Sequence, residues 1–272
     1  MPDWDNLIYA FSLALFAGLS TGIGSALALM TKRTNTKFLS VMLGFSAGVM
    51  LYVSFVEIFA QAREVLSAAH GAKTGTALTV LGFFTGIFVI ALIDRLIPDE
   101  GNPHEIHNVE ELSEEVRAAQ KNKSLMRMGL FTGLAIAIHN FPEGLATLTA
   151  SLANPELGLP IAIAIAIHNI PEGIAVAVPV YFATGDRRRA FTLSFLSGLA
   201  EPVGALVGFL LIMPFFNESV FGFTFAAVAG IMVFISLDEL LPSAEAYGEH
   251  HLSIYGLVAG MGVMAASLLL LG

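Results

Sequence analysis

The sequence predicts an all-α integral membrane protein with eight transmembrane helices, and three observations lead to that prediction. Of the 272 residues, 56% are hydrophobic and only 13% are charged, against roughly 25% charged residues in a soluble chain. The mean hydropathy is +0.76, and apolar runs of about 20 residues, enough to cross a bilayer core, recur along the chain. Every backbone amide in lipid needs a hydrogen-bond partner within the protein, which only helices and closed β-barrels provide. The runs show none of the alternation of a barrel strand, so helices are expected.

Turn-forming or charged residues bound each apolar run and divide the chain into eight expected spans. The spans are expected near residues 7–30, 38–61, 76–97, 127–150, 157–183, 191–213, 221–242 and 252–271. Residues 1–272 then form a single transmembrane domain with one long loop, residues 98–124. The loop is acidic and then basic, a composition typical of a solvated linker that is partly helical or disordered.

The 13 Lys and Arg residues are divided unequally between the two sides of this arrangement. Arg63 and Lys73 fall on one side, and the other eleven fall on the opposite side. The positive-inside rule makes the side with eleven basic residues cytoplasmic. We therefore expect both termini on the outer side, as an even number of spans requires.

The composition also excludes several classes of function. A soluble enzyme does not have so apolar a chain, and a net charge of −9 argues against a nucleic-acid partner, whose phosphates attract basic proteins. The chain has no cysteine, which excludes disulfides and thiolate metal sites.

The fourth and fifth spans carry the same polar motif. It reads His-Asn-Phe-Pro-Glu-Gly at residues 139–144 and His-Asn-Ile-Pro-Glu-Gly at residues 168–173. The similarity extends over residues 135–146 and 164–175, which differ at only two of twelve positions. Ionisable groups inside a bilayer cost several kcal/mol and usually face a partner, a cavity or a transported species. A duplicated motif of this kind therefore indicates function rather than packing.

The spacing of the motif places its side chains together. His and Glu four residues apart share one helix face, and Asn154-Pro155 is a turn signal between the two spans. If the hairpin pivots after Pro155, His139 lies level with Glu172, and Glu143 lies level with His168. The two tiers are about 6 Å apart and roughly 20 Å from the turn, near the membrane midplane.

Two imidazoles and two carboxylates that converge in a dry space predict a site for one or two divalent cations. Nitrogen and oxygen ligands of this kind suit Zn²⁺ and also Fe²⁺, Mn²⁺ or Co²⁺. Pro142 and Pro171 would each free a backbone carbonyl beside the path, or would only kink the helices. Glu201, in a Glu-Pro-Val-Gly sequence of the sixth span, is the third candidate, as a metal ligand or proton acceptor.

Further polar residues can be ordered along the membrane normal as a cation pathway. Glu57 is expected near the outer face, and Asp94, Asp238 and Glu239 near the cytoplasmic ends of their spans. Met50, near mid-membrane, is a thioether ligand or a core residue, and Asp94 is a pathway residue or only an ion-pair partner of Arg95. The loop histidines form a weaker signal for metal, and they are His104, His107, His250 and His251.

The paired motifs, the Glu-Pro-x-Gly sequence and the eight spans resemble the ZIP family of zinc/iron permeases, its bacterial zinc transporters in particular. The resemblance implies a 3+2+3 arrangement, in which spans 1–3 and 6–8 are inverted repeats around spans 4 and 5. It also implies a binuclear centre. One metal position would use His139, Glu143, His168 and Glu172 with Met50 nearby, and the second Asn140, Glu143, Asn169, Glu172 and Glu201.

The resemblance further implies uptake of Zn²⁺, and plausibly of Fe²⁺, Mn²⁺, Co²⁺ and Cd²⁺, across a bacterial inner membrane. The expected partners are divalent ions and the lipid bilayer, with no prosthetic group and an open possibility of a homodimer. The resemblance is incomplete in span 7, where many relatives have His-Glu and this chain has Asp238-Glu239. The alternatives are an intramembrane metal-dependent hydrolase, with Glu201 as general base, and metal efflux through the same residues.

Overall fold

The structure is a computed structural model that describes residues 4–30, 36–95, 114–212, 215, 217–247 and 250–271, where all regular structure is helical. Its helices are α1 (Trp4–Met30), α2 (Thr36–Val53), α3 (Phe59–His70), α4 (Ala72–Arg95), α5 (Glu114–Ala153), α6 (Pro155–Thr184), α7 (Arg187–Gly198), α8 (Ala200–Ile212), α9 (Glu218–Ile235), α10 (Leu241–Tyr247) and α11 (His250–Leu271). Two π-helical segments, Ser54–Ile58 and Ser236–Leu240, continue α2 into α3 and α9 into α10.

Seven stretches within the described residues are long and apolar enough to cross a membrane. They are Trp4–Met30, Ser40–His70, Ala72–Arg95, Gly158–Val178, Arg187–Leu211, Glu218–Glu245 and His250–Leu270. The remaining expected span, residues 127–150, lies within α5, a single helix of 40 residues. At 1.5 Å per residue α5 is about 60 Å long, twice the thickness of a bilayer core. The predicted class, an all-helical multi-pass membrane protein, is confirmed.

The second span is longer than the sequence predicts. It was expected to end near residue 61, but the helix continues through α3 to His70. The buried side chains of Ala62 and Leu66 anchor this extension against the rest of the protein. Only Gly71 separates α3 from α4, and its φ of +81° is a conformation that glycine adopts without steric cost.

The predicted loop of residues 98–124 is described only in part. Residues 114–124 form the beginning of α5, so this part is helical. Residues 96–113, including His104 and His107, lie outside the described residues.

The sixth span is interrupted, whereas the sequence predicts one continuous helix over residues 191–213. Helix α7 ends at Gly198 and α8 begins at Ala200, on either side of Leu199. The cause is Pro202, which has no N–H to donate to the carbonyl of Gly198. The next backbone bond, from Val203 N to Leu199 O, measures 3.3 Å. The interruption places Glu201 in the first turn of α8.

Helices α5 and α6 form the central hairpin. Asn154 lies between them, and its side chain accepts a hydrogen bond of 3.0 Å from the backbone N–H of Glu156, as a helix N-cap does. Of the apolar window in α6, 78% is buried, against 22% in α11, so α6 is central and α11 peripheral. Helix α1 packs along α6 and α8 along α5, while α2 packs along α11 and α4 along α9.

Close backbone approaches occur in matched pairs around this hairpin. A Cβ atom on Gly24 of α1 would collide with the carbonyl of Ile170, and one on Gly204 of α8 would collide with the carbonyl of Phe141. Ile170 and Phe141 occupy the same position of the two motifs. Helix α1 therefore contacts α6 in the way that α8 contacts α5.

Candidate metal centre

Six of the predicted ligands come together in the interior of the protein, on α5, α6 and α8. The solvent-exposed fraction is 0% for each of Asn140, Glu143, His168, Asn169, Glu172 and Glu201. Three carboxyl groups in so dry a place are costly unless they are paired with partners or cations. Their burial is thus the first structural sign of a functional site.

His168 and Glu143 are in direct contact. His168 Nε2 lies 3.2 Å from Glu143 Oε1, and His168 Nδ1 lies 3.1 Å from the carbonyl oxygen of Ala164. Because a carbonyl oxygen only accepts hydrogen bonds, Nδ1 carries the ring hydrogen. Nε2 then presents a lone pair to the carboxylate if the ring is neutral, or a second N–H if the ring is protonated. A histidine held in this way by its other nitrogen is oriented to bind a metal ion.

This contact is the one expected from the hairpin register, which places His168 level with Glu143. The register also pairs His139 with Glu172. The side chain of His139 lies outside the described residues, so this second tier stays a prediction.

The two asparagines of the motif hold the centre to the flanking helices. Asn169 Nδ2 donates to Glu201 Oε2 at 2.9 Å and to the carbonyl oxygen of Ala17 at 3.0 Å. Asn140 Nδ2 donates to the carbonyl oxygen of Ser197 at 3.3 Å. Both amides thus use their nitrogen for α1, α7 or α8, and their oxygens are left for other partners.

Four buried oxygen atoms of the centre have no hydrogen-bond partner among the described residues. They are Asn140 Oδ1, Glu143 Oε2, Asn169 Oδ1 and Glu201 Oε1. Buried acceptors normally have a donor, and here all four lack one. Oxygen atoms of amides and carboxylates, together with an imidazole nitrogen, form a donor set that fits a divalent cation.

No three side chains of His, Asp or Glu are arranged as a ready metal site in the part of the chain that the structure describes. The predicted ligand set is wider than these three residue types, because it includes the amides of Asn140 and Asn169. It also includes His139, whose side chain lies outside the described residues.

Ser46 is a member of the centre that the sequence analysis missed. It is fully buried on α2, and its hydroxyl lies 3.3 Å from the carbonyl oxygen of His168 and 3.4 Å from Glu172 Oε1. Its position four residues before Met50 on α2, on the same helix face, was the one available signal. A single serine in an apolar helix is otherwise indistinguishable from a packing residue.

Met50 and the predicted pathway residues lie on α2, on α4 and in the two π-helical segments. Met50 is fully buried in the main apolar core, a position that suits a core residue and a thioether ligand alike. Asp94 is partly exposed near the end of α4. Asp238 and Glu239 lie in the second π-helical segment, and Glu57 lies in the first. Glu57 and Glu239 are each the fourth residue of their segment.

Glu57 also lines an open cavity of about 1160 Å³ between α3, the beginning of α9 and the end of α5. Among the described residues, its charged lining consists of Glu57, Glu64 and Glu218 against a single basic residue, Arg63. The predicted entrance residue therefore faces an acidic, open space.

His250 and His251 lie on the surface. His250 Nδ1 is 2.8 Å from Glu245 Oε1, and the two histidine rings are 5.7 Å apart. The exposed fractions are 66% for the His250 side chain and 42% for that of Glu245, so this pair is solvated and separate from the buried centre.

Comparison with known proteins identifies relatives along the whole chain. The family model described as ZIP Zinc transporter matches residues 95–268. The chain is 63% identical over 266 residues to the zinc transporter ZupT of Chlorobium chlorochromatii, with 98% of each chain covered. It is 64% identical over 266 residues to ZupT of Chlorobaculum parvum, again with 98% of each covered. It is 62% identical over 265 residues to ZupT of Streptococcus mutans, covering 97% of this chain and 98% of the relative. Together with the repeated His-Asn-x-Pro-Glu-Gly motif, these matches show that the chain belongs to the ZIP zinc transporter family.

Proposed function

We propose that this chain takes up Zn²⁺ through the buried centre of α5, α6 and α8. Its family makes it a transporter of divalent metal and not an enzyme. The relatives named above are zinc transporters, which is why Zn²⁺ is the proposed cargo. The observation that carries the proposal is the set of four buried oxygens without hydrogen-bond partners. A transported cation supplies the positive charge that these oxygens lack.

The centre is proposed to be binuclear. His139, Glu143, His168 and Glu172 form the first ion position, with Met50 nearby. Asn140, Glu143, Asn169, Glu172 and Glu201 form the second position, so that Glu143 and Glu172 bridge the two ions. The short distance between Glu143 and His168 supports the first position, and the bond between Asn169 and Glu201 supports the second.

The residues of the centre suggest how an ion is both held and released. His168 Nε2 exchanges a proton for the metal ion, because its other nitrogen is already committed to Ala164. Two cations that share two bridging carboxylates repel each other, and a site that is to conduct must bind ions weakly enough to release them. Ligands of mixed nitrogen and oxygen type discriminate poorly among first-row divalent ions, so Fe²⁺, Mn²⁺, Co²⁺ and Cd²⁺ are proposed as competing cargoes.

The proposed architecture is eight spans in a 3+2+3 order within one transmembrane domain, residues 1–272. The matched contacts of α1 with α6 and of α8 with α5 support an inverted repeat. The distribution of Lys and Arg supports termini on the outer side of a bacterial inner membrane. Glu57 is placed at the outer cavity and Asp94, Asp238 and Glu239 at the opposite ends of the proposed pathway. The proposed inward flux rests on the family resemblance, because residues at both ends give no direction.

Uptake of ⁶⁵Zn²⁺ into proteoliposomes tests the proposal. Glu143→Ala removes a bridging carboxylate, and uptake is expected to fall to the level of protein-free liposomes. A matched control is Glu156→Gln, an exposed acid at the beginning of α6, which should leave uptake at the wild-type level. Glu172→Gln should behave as Glu143→Ala does.

Normal uptake by correctly inserted Glu143→Ala protein would reject the centre. Zinc accumulation only in vesicles of the opposite orientation would instead indicate efflux through the same residues.

A further inference from the structure

Thr21 of α1 is a buried hydroxyl without a hydrogen-bond partner. Its exposed fraction is 0%, and Oγ1 bonds to no described atom. Buried helical hydroxyls elsewhere in the protein commonly donate to the carbonyl four residues earlier, as Ser25, Thr79 and Ser236 do. Thr21 does not, so the reason has to be sought in its surroundings.

The usual acceptor for Thr21 is already occupied. The carbonyl oxygen of Ala17, four residues earlier, accepts from Ser20 Oγ at 2.5 Å and from Asn169 Nδ2 at 3.0 Å. The next choice, the carbonyl of Gly18, faces Gly198 at the crossing of α1 and α7. The Ala17 carbonyl is therefore committed to other groups, and the hydroxyl of Thr21, which bonds to neither carbonyl, is available for a ligand.

Thr21 occupies on α1 the position that Glu201 occupies on α8. Gly24 contacts α6 as Gly204 contacts α5, and Asn169 bonds to Ala17 as Asn140 bonds to Ser197. In both cases the equivalent residues are 180 positions apart (24 and 204, 17 and 197), and the same offset relates Thr21 to Glu201. A Cβ on Gly173 would meet the carbonyl of Thr21, and one on Gly144 would meet that of Glu201.

Thr21 packs against Gly198, the residue that follows the backbone partner of Asn140. A Cβ on Gly198 would lie 2.7 Å from Thr21 Oγ1, and Gly198 follows Ser197, whose carbonyl holds Asn140 Nδ2. Asn140 Oδ1 is itself buried without a partner. Two orphaned oxygens thus lie on the Asn140 side of the centre, where the Asn169 side has Glu201.

We propose that the Thr21 hydroxyl is a further oxygen ligand for the transported divalent cation, paired with Asn140 as Glu201 is paired with Asn169. The inference rests on the proposed function of the centre. It makes the centre chemically asymmetric, because a carboxylate on one side is matched by a neutral hydroxyl on the other. The neutral side holds a cation less tightly, and it favours ions that prefer oxygen.

Two substitutions separate the hydroxyl of Thr21 from its shape. Thr21→Val keeps the branched shape and removes the oxygen, and Thr21→Ser keeps the oxygen. Zn²⁺ affinity of purified protein is measured by competition with a chromophoric chelator, and KM is measured for uptake of Zn²⁺, Mn²⁺ and Cd²⁺ into proteoliposomes. Thermal unfolding in detergent reports the stability of each variant.

Thr21→Val is expected to weaken Zn²⁺ binding and raise KM by about three- to tenfold, as the loss of one neutral interaction does. The effect should be larger for Mn²⁺ than for Cd²⁺, since Mn²⁺ prefers oxygen ligands. Thr21→Ser should remain near wild type. The stability of Thr21→Val should not decrease, because the hydroxyl makes no bond that could be lost.

Wild-type affinity in Thr21→Val would overturn the inference, and so would a loss in Thr21→Ser as large as that in Thr21→Val. A lower unfolding temperature of Thr21→Val, with all three metals affected equally, would assign the hydroxyl a structural role and overturn it too. If Glu143→Ala loses uptake while Thr21→Val keeps wild-type affinity and KM, the role of Thr21 is rejected and the proposed centre stands. Normal uptake in Glu143→Ala rejects the centre itself.

Discussion

Asn169 and Asn140 occupy the same position of the repeated motif but are bonded differently. Asn169 donates to both Glu201 and Ala17, whereas Asn140 donates only to Ser197, over a longer distance. Sequence identity therefore does not make the two residues equal contributors to stability.

Replacing each asparagine by leucine, which is of similar size, should expose this difference. Asn169→Leu leaves the buried Glu201 Oε2 without its donor and also removes the bond to Ala17, whose carbonyl keeps Ser20 as a donor. It is expected to destabilise the protein by about 1–3 kcal/mol, the cost of one orphaned group. Asn140→Leu leaves one weaker acceptor and should cost roughly half as much. Thermal unfolding of the two purified variants in detergent shows which of them has lost more stability. An equal loss, or a larger one for Asn140→Leu, would contradict the bonding described here.

At the same scale, the sequence predicts some contacts of the centre and not others. The contact of His168 with Glu143 follows from helix periodicity and one turn signal, because both residues lie in a hairpin with few possible registers. Ser46 and Thr21 belong to α2 and α1, and their distance from the motif depends on how separate helices pack. Neither residue type is unusual in an apolar span, so the spacing of Ser46 before Met50 is the one sign of their role in the sequence.

At the scale of helices, the close approach of backbones is what brings the ligands together. The Cα of Gly144 lies against the carbonyl of Glu201, and a Cβ there would overlap it. Gly262 of α11 has open space at the equivalent point. The two glycines thus form a matched pair, one at a helix contact and one outside any contact.

Gly144→Ala is expected to push α5 away from α8, lower the unfolding temperature and reduce uptake, since a rigid backbone atom cannot move aside as a side chain can. Gly262→Ala should leave stability unchanged or raise it by up to about 1 kcal/mol, because alanine is the better helix former. Membrane abundance, thermal unfolding and zinc uptake of both variants are the measurements. Tolerance of Gly144→Ala at wild-type uptake would show that the helices are not in contact at this point.

Helix interruptions are the features of the elements that the sequence predicts least well. The position of Pro202 allows a loosened turn, but only the structure locates the break at Leu199. The two π-helical segments, Ser54–Ile58 and Ser236–Leu240, carry no proline or glycine. No residue type within them marks the change from a regular α-helix, so their own sequence does not predict them.

At the scale of the whole molecule, the number of spans between two loops decides which side of the membrane each one faces. Lys73 lies in the first turn of α4 and Arg187 begins α7, so the crossings between them are those of α4, α5 and α6. Three crossings would place the two residues on opposite sides. If α5 did not cross, they would share a side, so this pair tests the span that length and apolarity alone support least.

The chain has no cysteine, so single cysteines can be introduced without any background labelling. Lys73→Cys is expected to react with a membrane-impermeant maleimide on intact cells, because its side carries only two of the 13 basic residues. Arg187→Cys should react only after the membrane is permeabilised, since the excess of Lys and Arg is retained in the cytoplasm. Labelling of both variants on intact cells would remove one crossing and with it the inverted repeat. Labelling of Arg187→Cys alone would reverse the orientation and turn the acidic cavity beside Glu57 towards the cytoplasm.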